Sequence, residues 1–222
     1  MSNDSASTDI TNDDGFQAFI SDALRTESRP ESLKINPVVF LAYLQLASVT
    51  AAMGDMLKKG AFYGREVNVE AFCDEAMGVV KLGQILASVS DDVNDLTAKP
   101  MQINNRKDDG TVEELELTPT SFNMRVAHGL LGNFTEAGEL IEAMVTSVTE
   151  GKPLDRVNIG EEFADQDWYK AIVFNELELK EVDTRRGVIA KLRARYPDKF
   201  TDELAHDRDL AAERAALESN IA

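Results

Sequence analysis

Four carboxylates stand in this sequence at spacings that suit a metal ion. Glu136 and Glu139 are three residues apart, and so are Glu162 and Asp165, so within helices each pair shares one face. If a short connection makes the two helices antiparallel neighbours, all four acids can meet in one place. Hard divalent cations take oxygen ligands of this kind. Mg2+ in particular combines a few carboxylates with waters and with the phosphate oxygens of a substrate.

Acids are abundant here, so spacing alone proves little. Asp and Glu number 40 against 23 Lys and Arg in 222 residues, and most Glu-x-x-Glu pairs in such a chain lie on solvated faces. Glu162 and Asp165 differ because their stripe continues through Tyr169, Ile172 and Val173, an otherwise apolar face. Unpaired carboxylates are costly there, which implies a metal or another cation as partner.

The formal net charge of −17 argues against a nucleic-acid backbone or an anionic membrane surface as partner, since no excess of Lys and Arg exists to meet phosphates. The single cysteine, Cys73, reads as a small buried hydrophobe. It can form no intrachain disulfide and, with two histidines, no zinc site. The longest apolar runs, such as Val38 to Leu44, are short of a bilayer span. Residues 1–14 are acidic and Ser/Thr-rich, unlike a secretory leader, and read as a disordered tail. The expectation is a soluble, cytoplasmic protein with no nucleic-acid or membrane partner.

The elements that must position the carboxylates are helices. Ala, Leu and Glu are frequent, with only 6 prolines and 13 glycines, and no strand–helix alternation appears, so the fold class is all-α. The pattern predicts a short helix over Phe16–Thr26. A helix from Pro37 to Lys59 follows, ended by Gly60 and Gly64, and then one over Val69–Val89. Thr97–Thr118 is polar with turn signals and reads as a linker carrying a short strand pair. Helices over Pro119–Val148, Leu154–Glu178, Asp183–Arg195 and Asp202–Ser219 complete the chain.

The halves share a layout. A shift of 87 residues places Gly64 on Gly151 and Glu75 on Glu162. The positions matching Glu136, Glu139 and Asp165 are Val49, Ala52 and Gly78, so the first half keeps one of the four acids. This divides the chain into a degenerate helical half (15–96), a linker (97–118), an active half (119–200) and a helical tail (201–222).

The motif Thr135-Glu136-Ala137-Gly138-Glu139, a 22-residue spacer and Glu162-Phe163-Ala164-Asp165 resemble the MazG-like members of the all-α nucleoside triphosphate pyrophosphohydrolases. That family's signature is Glu-Glu-x-x-Glu, a spacer, then Glu-x-x-Asp. The stretches GKPLDRVNIGEEFADQDWYKAI and AKLRARYPDKFT are similar to bacterial and phage versions, and DMLKKGAFYGREVN resembles a worn copy of the inter-motif segment. The resemblance covers most of residues 36–210. It departs from the family at Thr135, which replaces the first Glu, and at Val188, where members often carry Asn.

The resemblance implies a helical bundle and hydrolysis of a nucleoside triphosphate between its α and β phosphorus atoms, giving the monophosphate and pyrophosphate. It implies Mg2+, with Mn2+ as a substitute, held by Glu136, Glu139, Glu162 and Asp165, with Glu139 taking the proton of the attacking water. Lys191 and Arg195, four apart on one face, would meet the β and γ phosphates. Trp168 and Tyr169 would stack on the base and His128 would contact substrate, although each also suits a structural role. Glu142 and Glu161 are candidate supports for the ligands, and Lys152 and Arg156 weaker phosphate contacts. Family members assemble their bundle from several subunits, so the chain is expected to be a homo-oligomer or an intrachain pseudo-dimer. Two alternatives stay open: an enzyme restricted to dUTP, dCTP or an alarmone, and a non-catalytic nucleotide-binding or interaction module.

Overall fold

The computed structural model describes residues 14–88, 93–96, 101–106 and 110–221. Its elements are α1 (Asp14–Ala23), α2 (Pro37–Tyr63), α3 (Val69–Ser88), β1 (Met101–Arg106), β2 (Val112–Leu117), α4 (Met124–Glu150), α5 (Arg156–Glu176), α6 (Glu181–Arg195), α7 (Asp202–His206) and α8 (Leu210–Glu218). The chain is predominantly helical, as its composition requires. The tail expected over 1–14 lies outside the described residues up to position 13, and α1 begins at Asp14.

The chain forms two compact units, with boundaries after Arg29 and after Met124. One holds α2, α3 and the hairpin β1–β2. In it Asn36 caps α2, its side chain accepting from the Val38 amide at 2.9 Å, with Pro37 opening the helix. β1 and β2 pair antiparallel from Met101↔Leu117 to Arg106↔Val112, which is the short strand pair expected in the linker segment. In the other unit α1 crosses α5, burying Ile20 and Ala23 against Ala171. Beyond α1, the Arg125 guanidinium binds Glu27 at 2.6 and 2.8 Å and Glu176 at 2.9 Å. Burial pushes the Glu27 carboxyl up, but Arg125 and Arg29 outweigh it and hold it below the usual range. α1 therefore belongs with the second half, where the sequence division at 15–96 put it with the first.

Other boundaries also move. α2 runs through Gly60 and ends at Gly64, where φ is 62°. α4 starts at Met124 because Thr118 and Ser121 close a turn around Pro119, the Ser121 amide donating to the Thr118 carbonyl at 3.0 Å. The last predicted helix is split because Asp209 caps α8, accepting from the Ala212 amide at 2.9 Å. That tail is not peripheral, since α8 packs on α6 and Ile221 lies against Gly187. Cys73 is exposed, not buried. Among the described residues, α2 is long and apolar enough by length and composition to cross a membrane, a test that core helices of water-soluble proteins also pass. The run Val38 to Leu44 understates it, because Gln45, Ser48, Thr50 and Gly54 interrupt the apolar stretch without adding charge.

Within each unit a helical hairpin recurs at the predicted offset. α2 and α4 are both 27 residues long, and adding 87 to the ends of α2 gives the ends of α4. α3 and α5 start at Val69 and Arg156, in the same relation. Gly64 and Gly151 both turn the chain in the left-handed region, with φ of 62° and 67°, which glycine adopts without a Cβ clash. Asn68 and Asp155 then cap the second helix. The Ala71 amide donates to Asn68 at 3.0 Å, and the Val157 amide to Asp155 at 2.8 Å.

Candidate metal centre

The register of α4 on α5 is set by two glycines that let the helices touch. A Cβ on Gly132 would lie 2.2 Å from the Tyr169 ring, and one on Gly129 would lie 2.7 Å from the Tyr169 carbonyl. Only glycine permits these approaches. Asn133 adds a bond from its Nδ2 to the Gln166 carbonyl at 3.0 Å. One turn further along α4, this register brings Glu136 opposite Glu162 and Asp165, with a carboxylate oxygen from each within 4.8 Å of the others.

Glu162 is the buried member, 7% exposed, on the stripe that ends in the fully buried Ile172. Its Oε1 accepts from Asn158 Nδ2 at 2.8 Å. Burial first, then a hydrogen bond shared with Glu136 and repulsion from Glu136, Glu161 and Asp165, push its pKa above the usual carboxylate value of 4.5. The charges of Glu136, Glu161 and Asp165 are all negative. The Tyr169 phenol is also raised, by burial and then by Glu136, Asp165 and Glu139. A divalent cation among Glu136, Glu162 and Asp165 would relieve these penalties together, so the donor set fits a hard metal.

Glu139 is exposed and stands outside the three converging carboxylates. It lines a cavity of about 490 Å3 beside them, with Glu142, Lys152 and Asn158 among the other walls. Lys152 itself pairs with Glu150 at 2.5 Å.

His128, Trp168, Tyr169 and Arg195 have structural partners. His128, Trp168 and Tyr169 form a cluster of edge-to-face rings, with centroids 4.9 to 5.9 Å apart. Trp168 Nε1 donates to Thr26 Oγ1 at 3.1 Å, which ties its ring to the segment after α1. Arg195 is bonded to Glu213 at 2.8 and 2.5 Å, and Arg208 grips the same carboxylate at 3.1 and 2.6 Å. Lys191 is half-buried on α6. Thr135, in place of the family's first Glu, donates to the Gly132 carbonyl at 2.8 Å.

Sequence reasoning missed Asn158 and the role of the Tyr169 phenol. Asn158 lies four residues before Glu162, hence on the same face, and that spacing was the available signal. Compared with protein-family models, with curated proteins and with solved structures, the chain matches none.

Proposed function

We propose that the chain is a Mg2+-dependent nucleoside triphosphate pyrophosphohydrolase of the MazG-like kind, releasing a nucleoside monophosphate and pyrophosphate. The observation that carries this reading is the buried Glu162, which accepts from the neutral Asn158 and is crowded by the carboxylates of Glu136, Glu161 and Asp165. Such a group calls for a cation. The resemblance of the two motifs to the MazG-like family supplies the reaction class.

Glu136, Glu162 and Asp165 would hold the ion. Bound there, Mg2+ would offset the repulsion between these acids and a triphosphate, stabilise charge on the phosphoryl oxygens and acidify a water. Asn158 keeps the Glu162 carboxylate oriented. Glu139, exposed beside the cavity, accepts the proton of the water that attacks the α phosphorus, while the bridging oxygen leaves with pyrophosphate. Lys191 on α6 would contact the phosphates, as the resemblance implies.

The same reading carries an assembly proposal. Ile141, Met144, Val145 and Val148 form an exposed apolar row along α4, which a second copy would cover if the chain assembles as the resemblance implies rather than as an intrachain pseudo-dimer. Light scattering reads this, and a monomer counts against it.

The function is tested by a panel of NTPs and dNTPs with Mg2+, with products resolved by chromatography. Monophosphate plus pyrophosphate, lost in Glu162→Gln, is the expected result. The panel, extended by a guanosine alarmone, also reads out restriction to dUTP, dCTP or an alarmone. One observation favours a non-catalytic module instead: the Arg195 guanidinium is already neutralised by Glu213. A Mg2+-dependent thermal shift with nucleotide but without product would establish that reading.

A further inference from the structure

The carboxylate that opens α6 is buried and only half used. Glu181 is 4% exposed, and its Oε1 accepts from Lys170 Nζ at 3.0 Å and Arg185 Nη2 at 2.9 Å. Among the described residues its Oε2 has no hydrogen-bond partner, although it is shut off from water. Leaving such an acceptor unmet is costly, so a donor belongs there. Glu181 also lines a cavity of about 480 Å3 whose walls come from α5 and α6, a volume usual for a small-molecule site. The other walls are mostly apolar, with Phe174 on α5 and Val188 and Ile189, both partly exposed, on α6. Lys170 lines it too, its Nζ 4.7 Å from the Phe16 ring centroid and 6.0 Å from that of Phe174. A second cavity of about 480 Å3 shares Lys170 and Phe174, but no acid lines it.

We infer that the cavity at Glu181 binds a small neutral aromatic molecule whose single hydroxyl or ring N–H donates to Glu181 Oε2. Charge excludes an ion. The acids Asp167 and Glu181 are matched by the cations Lys170 and Arg185, so a charged ligand of either sign meets repulsion. A plain hydrocarbon would leave Oε2 unmet. The Phe174 face and the Lys170 ammonium favour an aromatic ring over an aliphatic one. Arg185, whose side chain is 63% exposed, turns toward solvent to admit the donor. None of these residues is among the proposed metal ligands, and the site does not depend on the pyrophosphohydrolase reading.

An NMR titration of the metal-free full chain compares indole with 1-methylindole, which has the same rings and no donor. Indole should bind about tenfold more tightly, the worth of one hydrogen bond to a carboxylate. Glu181→Gln keeps an oxygen for Lys170 and Arg185 but puts an amide nitrogen in place of Oε2, so the two affinities should come within about twofold. Val188→Trp fills the cavity from a partly exposed position and should weaken both probes about fivefold or more. Circular dichroism confirms the fold of each variant, and Val188→Trp decides if Glu181→Gln does not fold. Equal affinity for the two probes in the unaltered chain, a preference that survives Glu181→Gln, or indole binding unchanged in Val188→Trp overturns the inference. So does a chain that binds neither probe, which would leave Oε2 to a buried water.

Discussion

The hairpins α2–α3 and α4–α5 have first helices of equal length, left-handed glycine turns and second-helix caps, yet one holds a carboxylate cluster and, among the described residues, the other does not. In the first, a Cβ on Gly78 would meet Val49 at 3.5 Å, an ordinary apolar contact. In the second, the equivalent positions are Asp165 and Glu136, whose oxygens converge with Glu162. The hairpin forms without the acids, so folding does not explain them. They instead concentrate negative charge around a buried carboxylate, which destabilises the metal-free state. A destabilising feature placed on one of two equivalent scaffolds points to function.

The largest expected effect tests this asymmetry directly. Glu162→Gln removes the buried ligand and should lower turnover by about 10^3-fold or more, with Mn2+ binding lost in calorimetry. Glu75→Gln, at the matched position of the first hairpin, should leave turnover within about twofold. Comparable losses in the two variants would make both hairpins part of the site and end the comparison.

Next comes the packing beneath the cluster. Gly132→Ala drives a methyl into the Tyr169 ring and should destabilise the protein by about 3 kcal/mol. Gly78→Ala meets Val49 at contact distance and gains helix propensity, so it should stabilise by about 0.5 kcal/mol. Urea unfolding of the two variants reads both. If Gly132→Ala is also neutral, the close approach of α4 and α5 is not what sets the register of the acids.

A pH series sharpens the electrostatic contrast. Glu162 is raised in the folded state, so in metal-free protein its contribution to stability is present below about pH 4.5 and is lost as pH rises through the folded value. Glu213 is held below the usual range by its bonds to Arg195 and Arg208, which outweigh burial, so its contribution is present at neutral pH and is lost as pH falls. Metal-free Glu162→Gln should therefore melt above the unaltered chain at pH 8 and not at pH 4.5. Mg2+ should reverse the order at pH 8, because the variant has lost a ligand. Melting curves that run parallel at all pH values would remove Glu162 from the charged cluster.

The sequence made the duplicated hairpin legible because its determinants are local: Gly64 and Gly151 for the turns, and helical periodicity between them. Glu136, Glu162 and Asp165 were legible for the same reason, since i,i+3 spacing on adjoining helices fixes a shared face. What was not legible depends on distant partners. The grouping of α1 with α5 rests on Ile20 and Ala23 meeting Ala171, and nothing in residues 14–29 says which hairpin they will choose. Arg195 sits at the spacing expected of a phosphate contact, but Glu213, 18 residues on, already holds its guanidinium. Tyr169 reads as a ring that could stack on a base, whereas the close approach at Gly132 brings its phenol into the field of the acids.

The smallest effect concerns the caps, and there the two hairpins should behave alike. Asn68 and Asp155 occupy the same position before α3 and α5, and each accepts a backbone amide near 3 Å, at 3.0 Å and 2.8 Å. Replacing either by Ala should cost about 1 kcal/mol, and the double variant about 2 kcal/mol, because the sites are on separate helices with no shared partner. Exchanging the caps, with Asn68→Asp and Asp155→Asn, separates charge from hydrogen bonding. Asn68→Asp should gain about 0.3 kcal/mol from the dipole of α3. Asp155→Asn should lose about as much from the dipole of α5, yet Asp155 also lines the acidic cavity, so removing its charge relieves repulsion with Glu139 and Glu142. A smaller loss at Asp155 than the gain at Asn68, closing as salt is raised, would show that the acids reach as far as the turn. Equal and opposite shifts at every salt concentration would confine their field to the three converging carboxylates.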